Sequence, residues 1–186
     1  LSVAWVFQTG IPFQFQAAPI VADGVIYVSA AYNHVYALDA KTGELLWKYD
    51  HKMPSDARIC CGPGNRGVAI ADDKIYMGTL DARLVALDRK TGQVAWNVEI
   101  ERYDRGYSGT GAPLVIRDLV IVGIAGGDYG VRGFLDAYDA KTGRRAWRFW
   151  TVPGPGEASR QPDGAEPSDR GHIRRPVLAR LDLCQR

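Results

Sequence analysis

The chain has 186 residues, 46% of them hydrophobic and 24% charged, with a formal net charge of +2. That balance suits one globular domain or part of a larger one and argues for no polyanionic partner such as nucleic acid. No apolar run reaches the roughly 18 residues that a membrane helix needs, and no Cys-x-x-Cys-His haem-attachment motif occurs.

Trp5 and Thr9-Gly10 read as the strand ahead of the first complete unit. From Pro19 to Val28, an apolar run, an Asp-Gly turn and a β-branched run give a hairpin signature. His34 to Asp39 and Glu44 to Tyr49 then flank Ala-Lys-Thr-Gly. Gly43 suits a left-handed position that closes a short loop between two strands. A helix competes over Lys41 to Tyr49, because Glu, Leu and Lys favour helices. The window is short, Gly43 lies inside it and its flanks alternate with period two, so strands are predicted.

Residues 57 to 70 read ARICCGPGNRGVAI. Neighbouring Cα atoms lie about 3.8 Å apart, and unstrained disulfides span roughly 4.4 to 6.8 Å. A Cys60–Cys61 bond would therefore store strain, which persists mostly where it serves a site. The other reading is two small buried hydrophobes that never bond. Arg66 by itself reads as a surface ion-pair partner.

Further hairpins are predicted over Gly67 to Met77, with Asp-Asp-Lys at the turn, and Ala112 to Val122, with Arg-Asp at the turn. Three copies of one motif organise the chain: ALDAKTGELLW from Ala37, ALDRKTGQVAW from Ala86 and AYDAKTGRRAW from Ala137. Their starts lie 49 and then 51 residues apart, and a period near 50 marks repeated supersecondary units. Four short antiparallel strands per unit make an all-β fold of propeller blades. Trp47, Trp96 and Trp147 then fill the space between successive sheets, each with an N–H to satisfy. Three blades do not close a ring that typically needs about four to eight, so the chain reads as part of a larger propeller.

From Ala158 onward there is no aromatic residue, no Lys and six Arg. The expected division is a partial propeller over 1–157 and a different tail over 158–186, either disordered or translated out of frame.

Three features together resemble the quinoprotein alcohol dehydrogenases, the pyrroloquinoline quinone (PQQ) enzymes of bacteria. They are Cys60-Cys61-Gly-Pro-Gly-Asn65-Arg66-Gly67, the stretch Gly123-Ile-Ala-Gly126-Gly127-Asp128-Tyr-Gly130-Val131-Arg132-Gly133, and the Trp-bearing repeat. The resemblance covers about residues 1 to 157 and implies an eight-bladed propeller with PQQ on its axis. It implies a vicinal Cys60–Cys61 disulfide against one quinone face and Arg66 on the reactive quinone oxygens. It implies Thr110 as a hydroxyl holding a PQQ carboxylate, and Gly126 and Gly127 as points of close backbone approach. Asp128 matches the acidic ligand of Ca²⁺ or a lanthanide, where the best-known members carry Glu. Gln16 stands where many members have a cofactor-contacting Glu, and Ala125 where several have Ser.

The implied activity is oxidation of a small primary alcohol to an aldehyde, with electrons leaving to a cytochrome c in the periplasm. The catalytic Asp, the Asn metal ligand and the Trp on the other quinone face come from later blades. This chain alone is therefore expected to be inactive and to bind PQQ poorly. The alternative is a non-catalytic propeller that scaffolds outer-membrane protein assembly, which would need neither the Cys pair nor an acidic residue after the glycines. Counting thiols separates the two: a single free thiol, Cys184, supports the disulfide.

Overall fold

Each repeat folds as one four-stranded antiparallel sheet. The first orders β1 (Ile20–Ala22), β2 (Val25–Ala30), β3 (His34–Asp39) and β4 (Leu45–Asp50) side by side. The second orders β5 (Ala69–Ala71), β6 (Lys74–Gly78), β7 (Arg83–Asp88) and β8 (Val94–Glu99), and the third β9 (Leu114–Ile116), β10 (Leu119–Gly123), β11 (Phe134–Asp139) and β12 (Arg145–Trp150). This is a computed structural model that describes residues 1–57, 59 and 62–156; Cys60, Cys61 and the predicted tail lie outside the described residues. Leu1–Thr151 form one compact unit; of a second, which begins at Val152, the described residues form a bend and a turn.

The predicted hairpins form where the turn chemistry places them. Ala22 pairs with Val25, Ala71 with Lys74 and Ile116 with Leu119, so each turn has two residues. The first turn residues, Asp23, Asp72 and Arg117, take positive φ of 50°, 50° and 56°. The second hairpin of each sheet is built by the repeat. The Asp39 carboxylate accepts from the Lys41 and Thr42 amides and the Thr42 hydroxyl, the Thr42 oxygen accepts from the Glu44 amide, and the Gly43 amide donates to the Asp39 carbonyl. Asp88 and Asp139 repeat the pattern with Lys90-Thr91 and Lys141-Thr142. These bonds turn the chain back through a left-handed Gly43 (φ 73°), the Asp39 amide donates to the Glu44 carbonyl, and Leu45–Asp50 pairs with β3, so the helical alternative fails. They also draw Glu44 into the turn, and β4 begins one residue later than predicted.

Hydrogen bonds from the neighbouring Thr and Lys hold the Asp39, Asp88 and Asp139 carboxyls below their ordinary value of 3.8. A depressed carboxyl pKa contributes stability that is present above the unfolded value and is lost as pH falls through the folded one. The thermal midpoint should therefore hold steady through mildly acidic pH and fall below about pH 4. The triple variant D39N/D88N/D139N should flatten that fall, as read by thermal denaturation across a pH series.

The tryptophans stitch sheet to sheet. The Trp47 indole N–H donates to the Arg89 carbonyl at 3.1 Å and that of Trp96 to the Ala140 carbonyl at 3.1 Å. Each ring lies on the turn glycine of the next sheet, Gly92 under Trp47 and Gly143 under Trp96. Trp5 docks the same way on Gly43 and donates to the Ala40 carbonyl at 3.3 Å. Trp5 thus stands where a preceding blade would place its Trp, although the segment around it forms no strand. Between the docks, Tyr27, Val35, Ile75, Met77, Val85 and Leu87 fill one core, and Tyr76, Leu84, Val120, Val122, Phe134 and Tyr138 fill the next.

In an up-and-down sheet, alternate connections emerge at the same end. The two-residue turns and the Asp-Lys-Thr-Gly turns share one end. The opposite end carries 31–33, 51–68, 79–82, 100–113 and 124–133. Among the described residues, the predicted site residues Arg66, Thr110, Gly126, Gly127 and Asp128 fall in this second set.

Candidate cofactor-binding end of the sheets

Backbone contacts join these connections into one surface. The Arg66 amide donates to the Thr110 carbonyl at 3.0 Å, tying the 51–68 connection to the 100–113 connection. The Gly109 amide donates to the Thr79 carbonyl at 2.8 Å. Ser108 and Ala125 exchange a bridge, with N–O distances of 3.0 and 2.7 Å, which brings in the long 124–133 connection. Arg66, Thr110 and the Gly126-Gly127-Asp128 stretch therefore lie along a continuous backbone path. The sheets have only 31–33 and 79–82 at the places that correspond to 124–133, so this expanded loop is the feature that sets the third sheet apart.

Arg66 is exposed and Thr110 half-buried. Gly126 is buried at φ 127°, and a side chain there would collide with the Gly106 carbonyl. Gly127 differs: it is exposed, and a Cβ would meet nothing within 4 Å. Backbone there is open to a ligand while Gly126 is needed for packing. Asp128 follows in a short turn that ends at Gly130, φ 73°. Gln16 is exposed, its carboxamide oxygen lies against the Gly64 α-carbon, and its nitrogen donates to Gln14 at 3.1 Å. It thus abuts the connection that carries Arg66. Cys60 and Cys61 lie outside the described residues.

This donor set suits a planar polyanion. An arginine is a permanent planar cation that matches carboxylate and quinone oxygens, a hydroxyl can donate beside it, and the open backbone at Gly127 leaves room. A carboxylate suits a hard cation, but such a cation takes about six to eight oxygens. Among the described residues no group of three His, Cys, Asp or Glu forms a metal cluster, so Asp128 would be one ligand of several.

Three buried polar groups at this end escaped the sequence reading. The His51 Nε2 donates to Asp81 at 2.9 and 3.0 Å, and the side chains are 5% and 4% exposed. Burial raises the Asp81 carboxyl, but hydrogen bonds from His51 and Thr79 outweigh it and hold the carboxyl below its ordinary value. Arg148 binds Asp136 and Glu101, which fastens the start of the 100–113 connection. Asn65 pairs with Asn33. Only Asn65 had a sequence signal, its place beside Arg66 in the Cys-Cys segment.

The model of the PQQ family described as glucose/ethanol/alcohol dehydrogenase, β-propeller domain, matches residues 1–174. The chain belongs to this family. It is 44% identical over 157 residues to the quinohemoprotein alcohol dehydrogenase ADH-IIG of Pseudomonas putida, covering 83% of this chain and 22% of that protein. The solved structure of ADHIIG from P. putida HK5 superposes with a TM-score of 0.76 at 46% identity, over 82% of this chain and 23% of that one. A europium-containing methanol dehydrogenase superposes with a TM-score of 0.77 at 42% identity, over 82% of this chain and 27% of that one. The chain thus spans about a quarter of the length of the relatives it matches. No helix among the described residues is long and apolar enough to cross a membrane.

Proposed function

We propose that the full-length parent of this chain is a PQQ-dependent dehydrogenase that oxidises small primary alcohols to aldehydes and passes electrons to a cytochrome c in the periplasm. The observation that carries this reading is the continuous path from Arg66 through Thr110 to Gly127 and Asp128 at one end of the sheets, in a chain of this family. PQQ, when bound, supplies an electrophilic quinone carbonyl able to take two electrons from an alcohol. Arg66 would offset negative charge on the quinone oxygens, Thr110 would donate to a carboxylate, and Gln16 would add an amide contact. Asp128 would give one oxygen to Ca²⁺ or a lanthanide. Cys60 and Cys61 are proposed as the apolar wall beside the ring. None of these groups acts as the base that takes the alcohol proton, which we assign to another part of the parent.

Titrating the 186-residue chain with PQQ in the presence of Ca²⁺, followed by tryptophan fluorescence, tests the reading. A hydrogen bond to a charged group contributes about 1.5–3 kcal/mol, so Arg66→Ala should weaken binding by roughly 10- to 100-fold. Equal affinity of the wild type and Arg66→Ala would remove Arg66 from the site. The chain should show no alcohol-dependent dye reduction, and turnover would show that the base lies within these residues.

A further inference from the structure

We infer that Asn65 is a positioning residue, a buried amide that fixes the backbone of Arg66 by fastening three connections to one another. Its relevance to the cofactor rests on the function proposed above; the clamp itself rests on geometry alone. Asn65 is 1% exposed. Its Nδ2 donates to the Asn33 Oδ1 at 3.3 Å and to the Gly78 carbonyl at 2.9 Å, and its Oδ1 accepts from the Gly67 amide at 3.1 Å. Both donors of the amide are used. The Asn33 Oδ1 also accepts from the Leu80 amide at 3.2 Å. Both partners of that oxygen are donors, which fixes the orientation of the Asn33 carboxamide.

The consequence falls on Arg66. The bond from the Gly67 amide to the Asn65 side chain encloses Arg66 in an Asx turn, and the Arg66 amide is itself held by the Thr110 carbonyl. The residue is pinned on both flanks while its side chain stays exposed. An apolar residue could fill the same space but could satisfy neither the Gly67 amide nor the Gly78 carbonyl, and unmet buried groups are costly. An amide is the side chain of this size that serves both.

Asn65→Asp is the discriminating variant, because it keeps the shape and the acceptor but turns the donor nitrogen into an oxygen. Ionised, that oxygen faces the Asn33 Oδ1 and the Gly78 carbonyl. Burial and these acceptors raise the carboxyl pKa, so the protonated form, which can donate once, fits the folded chain. The clamp of the variant should close at low pH and open as pH rises through the raised value. Amide hydrogen exchange of the 186-residue chain reads this without any cofactor. In Asn65→Asp, protection at Arg66, Gly67 and Leu80 should fall about tenfold or more at neutral pH and largely return about two pH units lower. The wild type should keep its protection at both. Leu87→Ala, which destabilises the same sheet from its core, should leave these three amides protected up to its own unfolding limit.

Loss of protection in Asn65→Asp that does not depend on pH, or that spreads equally over the second sheet, would overturn the inference. If Asn65→Asp does not fold at neutral pH, Asn65→Ser supplies the test, since it retains an acceptor and loses a donor. Local loss at the same amides is then expected, and unchanged protection overturns the clamp. PQQ titration of the variants is a separate arm: a clamp that opens as expected with no change in PQQ affinity would count against Arg66 as a cofactor residue, and so against the proposed function, while leaving the clamp in place.

Discussion

Replacing Gly92 by alanine should destabilise the chain by about 3–5 kcal/mol, several times the cost of the same change at Gly24. Both glycines are left-handed, at φ 71° and 77°, and holding an L-residue there costs roughly 1–2 kcal/mol. They differ in what lies above them. A Cβ on Gly24 meets nothing within 4 Å, whereas one on Gly92 would stand 2.5 and 2.7 Å from Trp47 ring atoms. The ring must move, and forcing extra volume into a packed contact costs about 1–3 kcal/mol. Moving it also strains the bond from the Trp47 indole to the Arg89 carbonyl, which contributes about 1 kcal/mol. Urea denaturation of the two variants beside the wild type measures the difference. Equal losses would mean that the Trp–Gly contact is not what holds the first sheet to the second.

That contact shows where the sequence speaks and where it stops. The Asp-x-Lys-Thr-Gly turn is written in adjacent residues, because its bonds run from Asp39 to Lys41 and Thr42. His34–Asp39 forms the predicted strand, and Gly43 takes the predicted left-handed conformation. The alternation of strands then places every predicted site residue from Arg66 onward at one end of the sheets without further information. The ties between those connections are different. Ser108 to Ala125, His51 to Asp81 and Arg148 to Glu101 join residues 17, 30 and 47 positions apart. Nothing in local periodicity distinguishes a histidine that reaches the next sheet from one that reaches solvent. Trp5 lies between these cases: it was expected in a strand ahead of the first unit, the chain around it forms no strand, and yet its ring docks on Gly43 as Trp47 docks on Gly92.

Asp136→Ala should cost about 3–5 kcal/mol, as expected when a buried ion pair loses one partner. Asp136 is fully buried. It accepts from the Arg148 Nε and Nη2 at 2.7 and 2.8 Å and from the Tyr138 hydroxyl at 2.9 Å. Burial pulls the Arg148 guanidinium down, but Asp136 and Glu101 outweigh it and hold the group above its ordinary value. Burial, reinforced by the Asp136 charge, pushes the Tyr138 phenol up. Removing Asp136 leaves a cation that is 14% exposed with half of its compensating charge and a buried hydroxyl without its acceptor. The same variant weakens the hold on the 100–113 connection, because Arg148 also binds the Glu101 carboxylate at 2.8 Å and the Ile100 carbonyl at 3.0 Å. The double variant D136L/R148M separates the two causes. Replacing both partners by apolar groups removes the uncompensated charge, and such replacements are often neutral or stabilising. The double variant should therefore be more stable than Asp136→Ala despite the additional change. If it is less stable, the network matters for the bonds Arg148 makes to Glu101 and Ile100 rather than for compensating a buried charge, and exchange of the Gly109 amide, which donates to the Thr79 carbonyl, should then quicken more in the double variant than in the single one.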